Sequence, residues 1–261
     1  MLSKTYCAAV NGLNVTPVTV EVNITRGVQY HLTGLGDNAV KESRDRIAAA
    51  IPNSGFQFPA SEVTVNLAPA DLRKEGSSFD LPVAIGILAA QGNVQPDLLS
   101  QYMLVGELSL DGTLQPVRGC LPIAICARKE KYKGLIVPKQ NVREAAVVNN
   151  LDVYGMENLT DVVMFLNGMT DFQPTVVDTR KEFYEHQYAF DLDFADVRGQ
   201  ENVKRALEVA AAGGHNIIMI GPPGSGKSMM AKRLPSILPP LSLAESLETT
   251  QIHSIAGKLP Q

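Results

Sequence analysis

The sequence is poor in the residues that mark secreted, disulfide-bonded proteins. Its 261 residues include no tryptophan and three cysteines, Cys7, Cys120 and Cys126. The cysteines lack the paired spacing of a zinc site, so no cysteine-based metal centre is expected. Their odd number, without an apolar signal core at the N-terminus, predicts a reducing, cytoplasmic environment and excludes a disulfide framework.

Long apolar runs and an excess of basic charge are also missing. No apolar run approaches the ~20 residues of a membrane-spanning helix, so no membrane partner is expected. The net charge is −4, divided evenly between residues 1–170 and 171–261, so bulk charge gives no indication of nucleic-acid binding. A hydrophobic content of 45% and a charged content of 19% are ordinary for a globular protein, here long enough for two domains.

One motif dominates what the sequence does contain. Residues 221–228, GPPGSGKS, match the phosphate-binding pattern G-x-x-x-x-G-K-[ST] without a gap. The short β-branched run 216–220 before it predicts a buried parallel strand, and the run 229–238 after it predicts a helix. This strand–loop–helix context supports a nucleotide site formed by Gly221, Pro222, Pro223, Gly224, Ser225, Gly226, Lys227, Ser228 and Met229.

The chemistry of this loop explains its residue types. Glycines allow the backbone to wrap around a phosphate, so that consecutive N–H groups point at the anion. Lys227 is predicted to reach the β- and γ-phosphates, and the hydroxyl of Ser228 is predicted to hold Mg²⁺. The motif therefore predicts ATP and Mg²⁺ as cofactors.

Residues 1–167 have the alternating pattern of one α/β unit. Asp37 is a candidate helix cap, and Asp111-Gly112 is a strong hairpin signal. The predicted strands are 18–22, 29–32, 63–67, 103–110, 113–117, 135–137 and 152–154. The predicted helices are 37–51, 80–90, 121–131, 142–148 and 159–166, and the second of these is so apolar that we expect it to be buried. Residues 168–190 are polar and predict a linker, and 191–261 form a second domain that opens with a helix at 201–212.

The start of the second domain resembles a known ATPase family. The segment 193–200, DFADVRGQ, stands about twenty residues before the phosphate loop and is similar to the opening box of AAA+ ATPases. In that superfamily the segment lies against the adenine. The resemblance implies that Val197, Gly199 and Gln200 contribute to nucleotide binding.

The first domain resembles Lon-type proteases. The segment 74–78, KEGSS, is similar to the segment of their serine nucleophile, and 106–124 is similar to their second catalytic segment. The matching places Ser78 at the serine position and Ala124 at the position of the lysine base. Because alanine cannot accept a proton, the resemblance implies a Lon-like fold without a Ser–Lys dyad, and no catalytic residue is predicted.

A Lon-like domain followed by an AAA+ module resembles the magnesium-chelatase-like ComM/YifB family, which also shares the segments 40–43, 53–56, 79–82 and 213–216. The resemblance implies a cytoplasmic bacterial ATPase that assembles as a homo-oligomeric ring. It also implies DNA as a partner, because ComM members act as branch-migration helicases in natural transformation. The implied fold class is α/β. It combines an α+β Lon protease-like domain (1–167), a linker (168–190) and an incomplete AAA+ P-loop α/β module (191–261).

Several elements of a complete ATPase are not found after Lys227. No apolar run ending in Asp-Glu follows, so Walker B is missing, and no sensor residue or arginine finger is identified. We therefore expect an N-terminal portion of a motor protein that holds nucleotide without hydrolysing it. A non-enzymatic Lon-like binding module is the alternative, and a Lon-like serine peptidase is a third and weaker one.

A small basic cluster is open to two interpretations. Arg128, Lys129, Lys131 and Lys133 lie within six residues at the predicted end of a helix. Such a cluster can contact phosphate groups. A solvated helix end is the preferred interpretation, because cations also suit a helix C-terminus.

Overall fold

The computed structural model describes residues 1–179, 183 and 190–259. These residues form two compact units, which are described separately. The first comprises Met1–Val177 and the described residues from Glu248 onwards, and the second comprises the described part of Asp178–Leu247. Among the described residues no helix combines the length and apolar character needed to cross a bilayer.

A four-stranded sheet forms one layer of the first unit. Its strands are β1 (Leu2–Asn11), β2 (Asn14–Thr25), β3 (Tyr30–Thr33) and β4 (Glu62–Ala68), in the order β1-β2-β4-β3. β2 is antiparallel to β1 and to β4, whereas β3 is parallel to β4. Alternate residues of β2, including Val18, Val20 and Val22, are fully buried, which is why the strand is recognisable in the sequence.

A second, parallel sheet has the order β5-β8-β9, with β5 at Tyr102–Leu104, β8 at Gly134–Pro138 and β9 at Asp152–Met156. All five residues of β8, the central strand, are buried. The predicted hairpin around Asp111-Gly112 is confirmed as β6 (Glu107–Leu108) paired with β7 (Leu114–Gln115). The predicted strand 103–110 is thus divided between two sheets.

Five α-helices of the first unit lie within Met1–Val177. They are α1 (Asn38–Asn53), α2 (Asp80–Ala90), α3 (Cys120–Lys129), α4 (Val142–Ala146) and α5 (Leu159–Leu166). The predicted cap is confirmed, since the Asp37 carboxylate accepts from the amide of Val40 at 2.9 Å. Every residue of α2 is buried, as its apolar composition predicted.

The second unit is helical in its described residues. It contains α6 (Glu201–Gly213), α7 (Lys227–Arg233) and the start of α8 (Leu243–Ile255). Its apolar cluster is formed by Phe194, Val197, Leu207 and Met230. The mixed α/β fold class is confirmed for the chain, but the strands all lie in the first unit as far as the described residues go.

The strand predicted at 216–220 is wrong. This run has no strand partner among the described residues, and Ile218 and Ile220 are 82% and 88% exposed. A parallel strand needs neighbouring strands to satisfy its backbone groups and cover its side chains. The described part of the second unit offers no such neighbours, so the run forms no strand and Ile218 and Ile220 remain exposed.

The start of the predicted linker packs on the first unit. The amide of Thr175 donates to Val153 of β9 at 2.8 Å, and Phe172 and Val177 contact the core. Most of residues 180–189 lie outside the described residues. The domain boundary at 167 therefore stays a prediction.

Candidate functional site

The predicted phosphate loop, residues 221–228, leads directly into α7, which begins at Lys227. Gly224 and Gly226 have φ angles of 81° and 85°. These left-handed conformations strain any residue that carries a Cβ, so the backbone requires glycine at these two positions. Residues 221–224 are exposed, and of these Gly221 and Gly224 carry a backbone N–H, since residues 222 and 223 are prolines.

Lys227 lies across this loop. Its ammonium group donates to the carbonyls of Gly221 and Pro222, each at 2.8 Å, and to the hydroxyl of Ser225 at 3.2 Å. These contacts satisfy the three donors of the ammonium group. The ammonium group is therefore held against the loop, and its contact with phosphate oxygens stays a prediction.

The AAA+-like segment reaches the same loop. The side-chain amide of Gln200 donates to the carbonyl of Ser225 at 3.3 Å. Gly199 and Gln200 both adopt left-handed backbone conformations, with φ of 67° and 57°. The structure therefore brings Gln200 to the loop, although the two residues are 25 positions apart.

Val197 is placed differently from Gln200. Its side chain is 3% exposed and belongs to the apolar cluster that also contains Met230 of α7. The cluster thus supports the helix that carries Lys227. Contact between Val197 and an adenine ring stays a prediction.

Ser228 and Met229 occupy the exposed side of α7, and Met229 is 40% exposed. No group of three or more His, Cys, Asp or Glu side chains is arranged for a metal among the described residues. A magnesium ion at Ser228 would therefore depend on oxygens from the nucleotide and from water, which is a common arrangement for Mg²⁺ in nucleotide sites.

Ser78 lies at a separate cavity in the first unit. The cavity has a volume of about 320 Å³, and its polar lining includes Ser77, Ser78, Glu107 and Arg118. The hydroxyl of Ser77 donates to the carboxylate of Glu107. No lysine is among the described lining residues, and Ala124 is fully buried in α3.

A buried ion pair next to this cavity was not predicted. Arg46 donates to both carboxylate oxygens of Asp80, at 2.6 and 3.0 Å, and the amide of Leu108 donates to the same group at 3.2 Å. Burial raises the pKa of Asp80 to about 6, although Arg46 and the Leu108 amide both act to lower that pKa. An acid at the start of an otherwise apolar stretch was the available signal, because a buried carboxylate needs a partner.

The loop before Ser78 is also held by residues that the sequence patterns did not single out for this role. The carboxylate of Asp37 accepts from the amide of Gly76 at 3.2 Å, in addition to capping α1. Lys74 is fully buried and donates to the carbonyl of Pro69. Burial lowers the pKa of Lys74. No sequence signal distinguishes this lysine from a surface one.

Two protein-family models match this chain, one before and one after the predicted linker. A family model described as "Subunit ChlI of Mg-chelatase" matches residues 20–141. A second, described as "Magnesium chelatase, subunit ChlI", matches residues 193–261, which include the phosphate loop.

Individual relatives give the same picture over nearly the whole chain. The competence protein ComM of Haemophilus influenzae is 42% identical over 255 residues, covering 97% of this chain and 50% of that protein. YifB of Escherichia coli is 43% identical over 258 residues, covering 98% of this chain and 50% of YifB. The Lon protease 2 of Bacillus subtilis is 22% identical over 147 residues, covering 54% of this chain and 26% of the protease. The chain thus spans about half the length of ComM and YifB.

Proposed function

We propose that this chain, which belongs to the magnesium-chelatase-like ComM/YifB family, binds ATP through the loop 221–228. The observation that carries this proposal is the position of Lys227, whose ammonium group lies over the loop at 2.8 Å from two of its carbonyls. On binding, phosphate oxygens would replace these carbonyls as partners of the ammonium group. Gln200, already bonded to Ser225, would fix the loop from its other side.

The residues present fit a magnesium nucleotide. The left-handed glycines, Gly224 and Gly226, leave the loop backbone free of side chains, and a Cβ at Gly224 would meet no atom within 4 Å. Lys227 would neutralise phosphate charge, and the exposed hydroxyl of Ser228 would be the protein's ligand to Mg²⁺. The bound metal would supply charge neutralisation at the phosphates.

ATP hydrolysis requires more groups than nucleotide binding does. Phosphoryl transfer needs a metal-binding acid and a group that orients the attacking water. The acids in residues 229–261 are Glu245 and Glu248, which lie on α8 and do not follow an apolar strand. We propose that residues 1–261 bind ATP without turning it over.

At the level of the whole protein we propose a cytoplasmic ring-forming motor that moves DNA branches. Support comes from the similarity to a competence protein, which covers 97% of this chain. The first unit would then be an accessory Lon-like domain. A peptidase is not proposed, because the described lining of the Ser78 cavity offers no lysine base.

The test is nucleotide binding by calorimetry with ATP and Mg²⁺, comparing Lys227→Ala with Lys232→Ala. Lys232 is a matched control, since it is an exposed lysine of the same helix. We expect Lys227→Ala to weaken binding by at least ~10-fold with unchanged circular dichroism, and Lys232→Ala to bind as the unaltered chain does. Equal binding by all three proteins, or none by the unaltered chain, would contradict the proposal.

A further inference from the structure

Four exposed cations lie at the end of α3, away from the phosphate loop in sequence, and only Lys133 contacts an aromatic ring, that of Tyr102, among the described residues. Arg128 and Lys129 close the helix, and Lys131 and Lys133 follow it. Among the described residues none of the four takes part in an ion pair. Glu130 is the one acid within this stretch of sequence. The turn is therefore a local concentration of positive charge on a chain whose net charge is −4.

The helix end accounts for only part of this cluster. Cations interact favourably with the C-terminal dipole within the last turn, which covers Arg128 and Lys129. Lys131 lies beyond that turn and reverses the chain with a φ of 63°. Lys133 is further on, with its ammonium group 5.9 Å from the ring centroid of Tyr102. The helix dipole therefore does not account for the positive charges of Lys131 and Lys133.

Two tyrosines accompany the cations. Tyr132 stands between Lys131 and Lys133 in sequence, and its ring lies 5.7 Å from that of Tyr6 on β1, at an interplanar angle of 51°. Both side chains are half-buried. Each therefore has part of its ring anchored in the unit and part accessible. Burial raises the pKa of Tyr132 to about 12, so its phenol is neutral at physiological pH.

We propose that this α3 patch, made of Tyr6, Arg128, Lys129, Lys131, Tyr132 and Lys133, binds single-stranded nucleic acid. The cations would contact consecutive phosphates, and the accessible tyrosine faces would stack on unpaired bases. Duplex DNA keeps its bases stacked on one another, so the aromatic component favours a single strand. The proposal deepens the proposed function, since a branch-migration motor handles DNA, and it gives the Lon-like unit a task of its own.

The test is fluorescence anisotropy of the full chain with a labelled oligothymidylate of about 20 nucleotides, longer than the ~4–16-nucleotide sites of comparable proteins. A duplex of the same length is the second probe, and no ATP is added. The patch variant is R128Q/K129Q/K131Q/K133Q. The control, R26Q/K41Q/R198Q/K258Q, removes the same number of exposed cations elsewhere.

We expect the patch variant to lose at least ~10-fold in affinity for the oligothymidylate. The slope of log affinity against log salt should fall by about 0.7 for each phosphate that is no longer neutralised, or about 3 in total. The control should change affinity less than about threefold, because screening limits distant charges. Tyr132→Leu should weaken binding and leave the salt slope unchanged, a result that general destabilisation would not produce.

Three outcomes would contradict the proposal that the α3 patch binds single-stranded nucleic acid. Unchanged binding by the patch variant would place the site elsewhere. Tighter binding of the duplex than of the oligothymidylate would contradict the expected preference for a single strand. If the unaltered chain bound neither probe, nucleic acid would not be the ligand of the patch. This result is expected if the patch binds an acidic protein instead. None of these bears on ATP binding, which the Lys227→Ala experiment decides separately.

Discussion

Asp80 links α2 to α1 through a buried charge. The side chain of Asp80 is fully buried and that of its partner Arg46 is 22% exposed. Removing one member of such a pair leaves the other uncompensated, at a cost of about 3 kcal/mol. The pair is therefore expected to fix the start of α2, next to Ser77 and Ser78, more than to add net stability.

The Asp80 carboxylate should make the free energy of unfolding depend on pH. Because its pKa of about 6 in the folded state lies above the ordinary value of 3.8, the folded state binds more protons between those values. The free energy of unfolding should therefore fall as pH rises through this window, by at most about 3 kcal/mol from this group. Lowered pKa values at Glu21 and Asp111 act in the opposite direction.

The variant Asp80→Asn isolates the effect. We expect the variant's free energy of unfolding to lack the decrease that Asp80 causes between pH 4 and pH 7, because asparagine does not titrate, so the difference in free energy of unfolding between the two proteins should change with pH. Urea unfolding at several pH values measures both free energies. A stability difference between the two proteins that does not change with pH would show that Asp80 does not titrate in this range.

At the scale of elements, α2 packs closely on the four-stranded sheet. The hydroxyls of Ser3 and Thr5 on β1 donate to the carbonyls of Gly86 and Pro82, at 2.6 and 2.8 Å. A Cβ built on Gly86 would lie 2.7 Å from a methyl of Val22, which is fully buried on β2. The glycine thus sets the distance between helix and sheet.

Gly86→Ala therefore tests two opposing effects. Alanine gains about 1 kcal/mol of helix propensity over glycine, whereas overpacking a rigid core costs about 1–3 kcal/mol. We expect a net loss of about 1 kcal/mol in urea unfolding, and no such loss when the change is made in a Val22→Ala background. A Gly86→Ala protein more stable than the parent would show that the sheet yields to the added methyl.

The elements also show how far the sequence predicted the structure. Helix α2 was predictable because burial and composition agree along its length. Helix α8 was missed, although Ser242 and Glu245 form a capping box with contacts of 2.8 and 3.3 Å. The run 216–220 was mispredicted as a strand, since composition cannot reveal whether neighbouring strands exist. The motifs predicted Lys227 and Gln200, which both contact the loop, and their role in nucleotide binding stays a prediction. The Asp80–Arg46 pair depends on a contact 34 residues apart, which no motif indicates.

At the scale of the molecule the two units differ greatly in what they bury. The first holds both larger sheets, α1–α5 and an extended apolar core, whereas the apolar cluster of the second contains four buried residues among those that the structure describes. A small core offsets little conformational entropy. The units are therefore expected to contribute unequally to stability, and the first should fold without the second.

A shortened chain ending at Val177 tests this expectation. It keeps the packing of Phe172 and the hydrogen bond of Thr175, but it lacks α8, whose Ser254 hydroxyl donates to Glu144 and whose Ser254 carbonyl accepts from the Gly119 amide at 3.3 Å. Removing these hydrogen bonds costs about 1–3 kcal/mol, which lowers the melting midpoint by about 2–10 °C in a domain of this size.

We expect the shortened chain to melt in a single cooperative transition within that range below the full chain, followed by circular dichroism. Ser254→Ala in the full chain is the matched control, since it removes one hydroxyl and keeps the rest of α8, and it should account for part of the shift. A broad, non-cooperative transition in the shortened chain would mean that the residues after Glu248 are integral to the first unit. The fold of the first unit would then be completed by a segment that follows the phosphate loop in sequence.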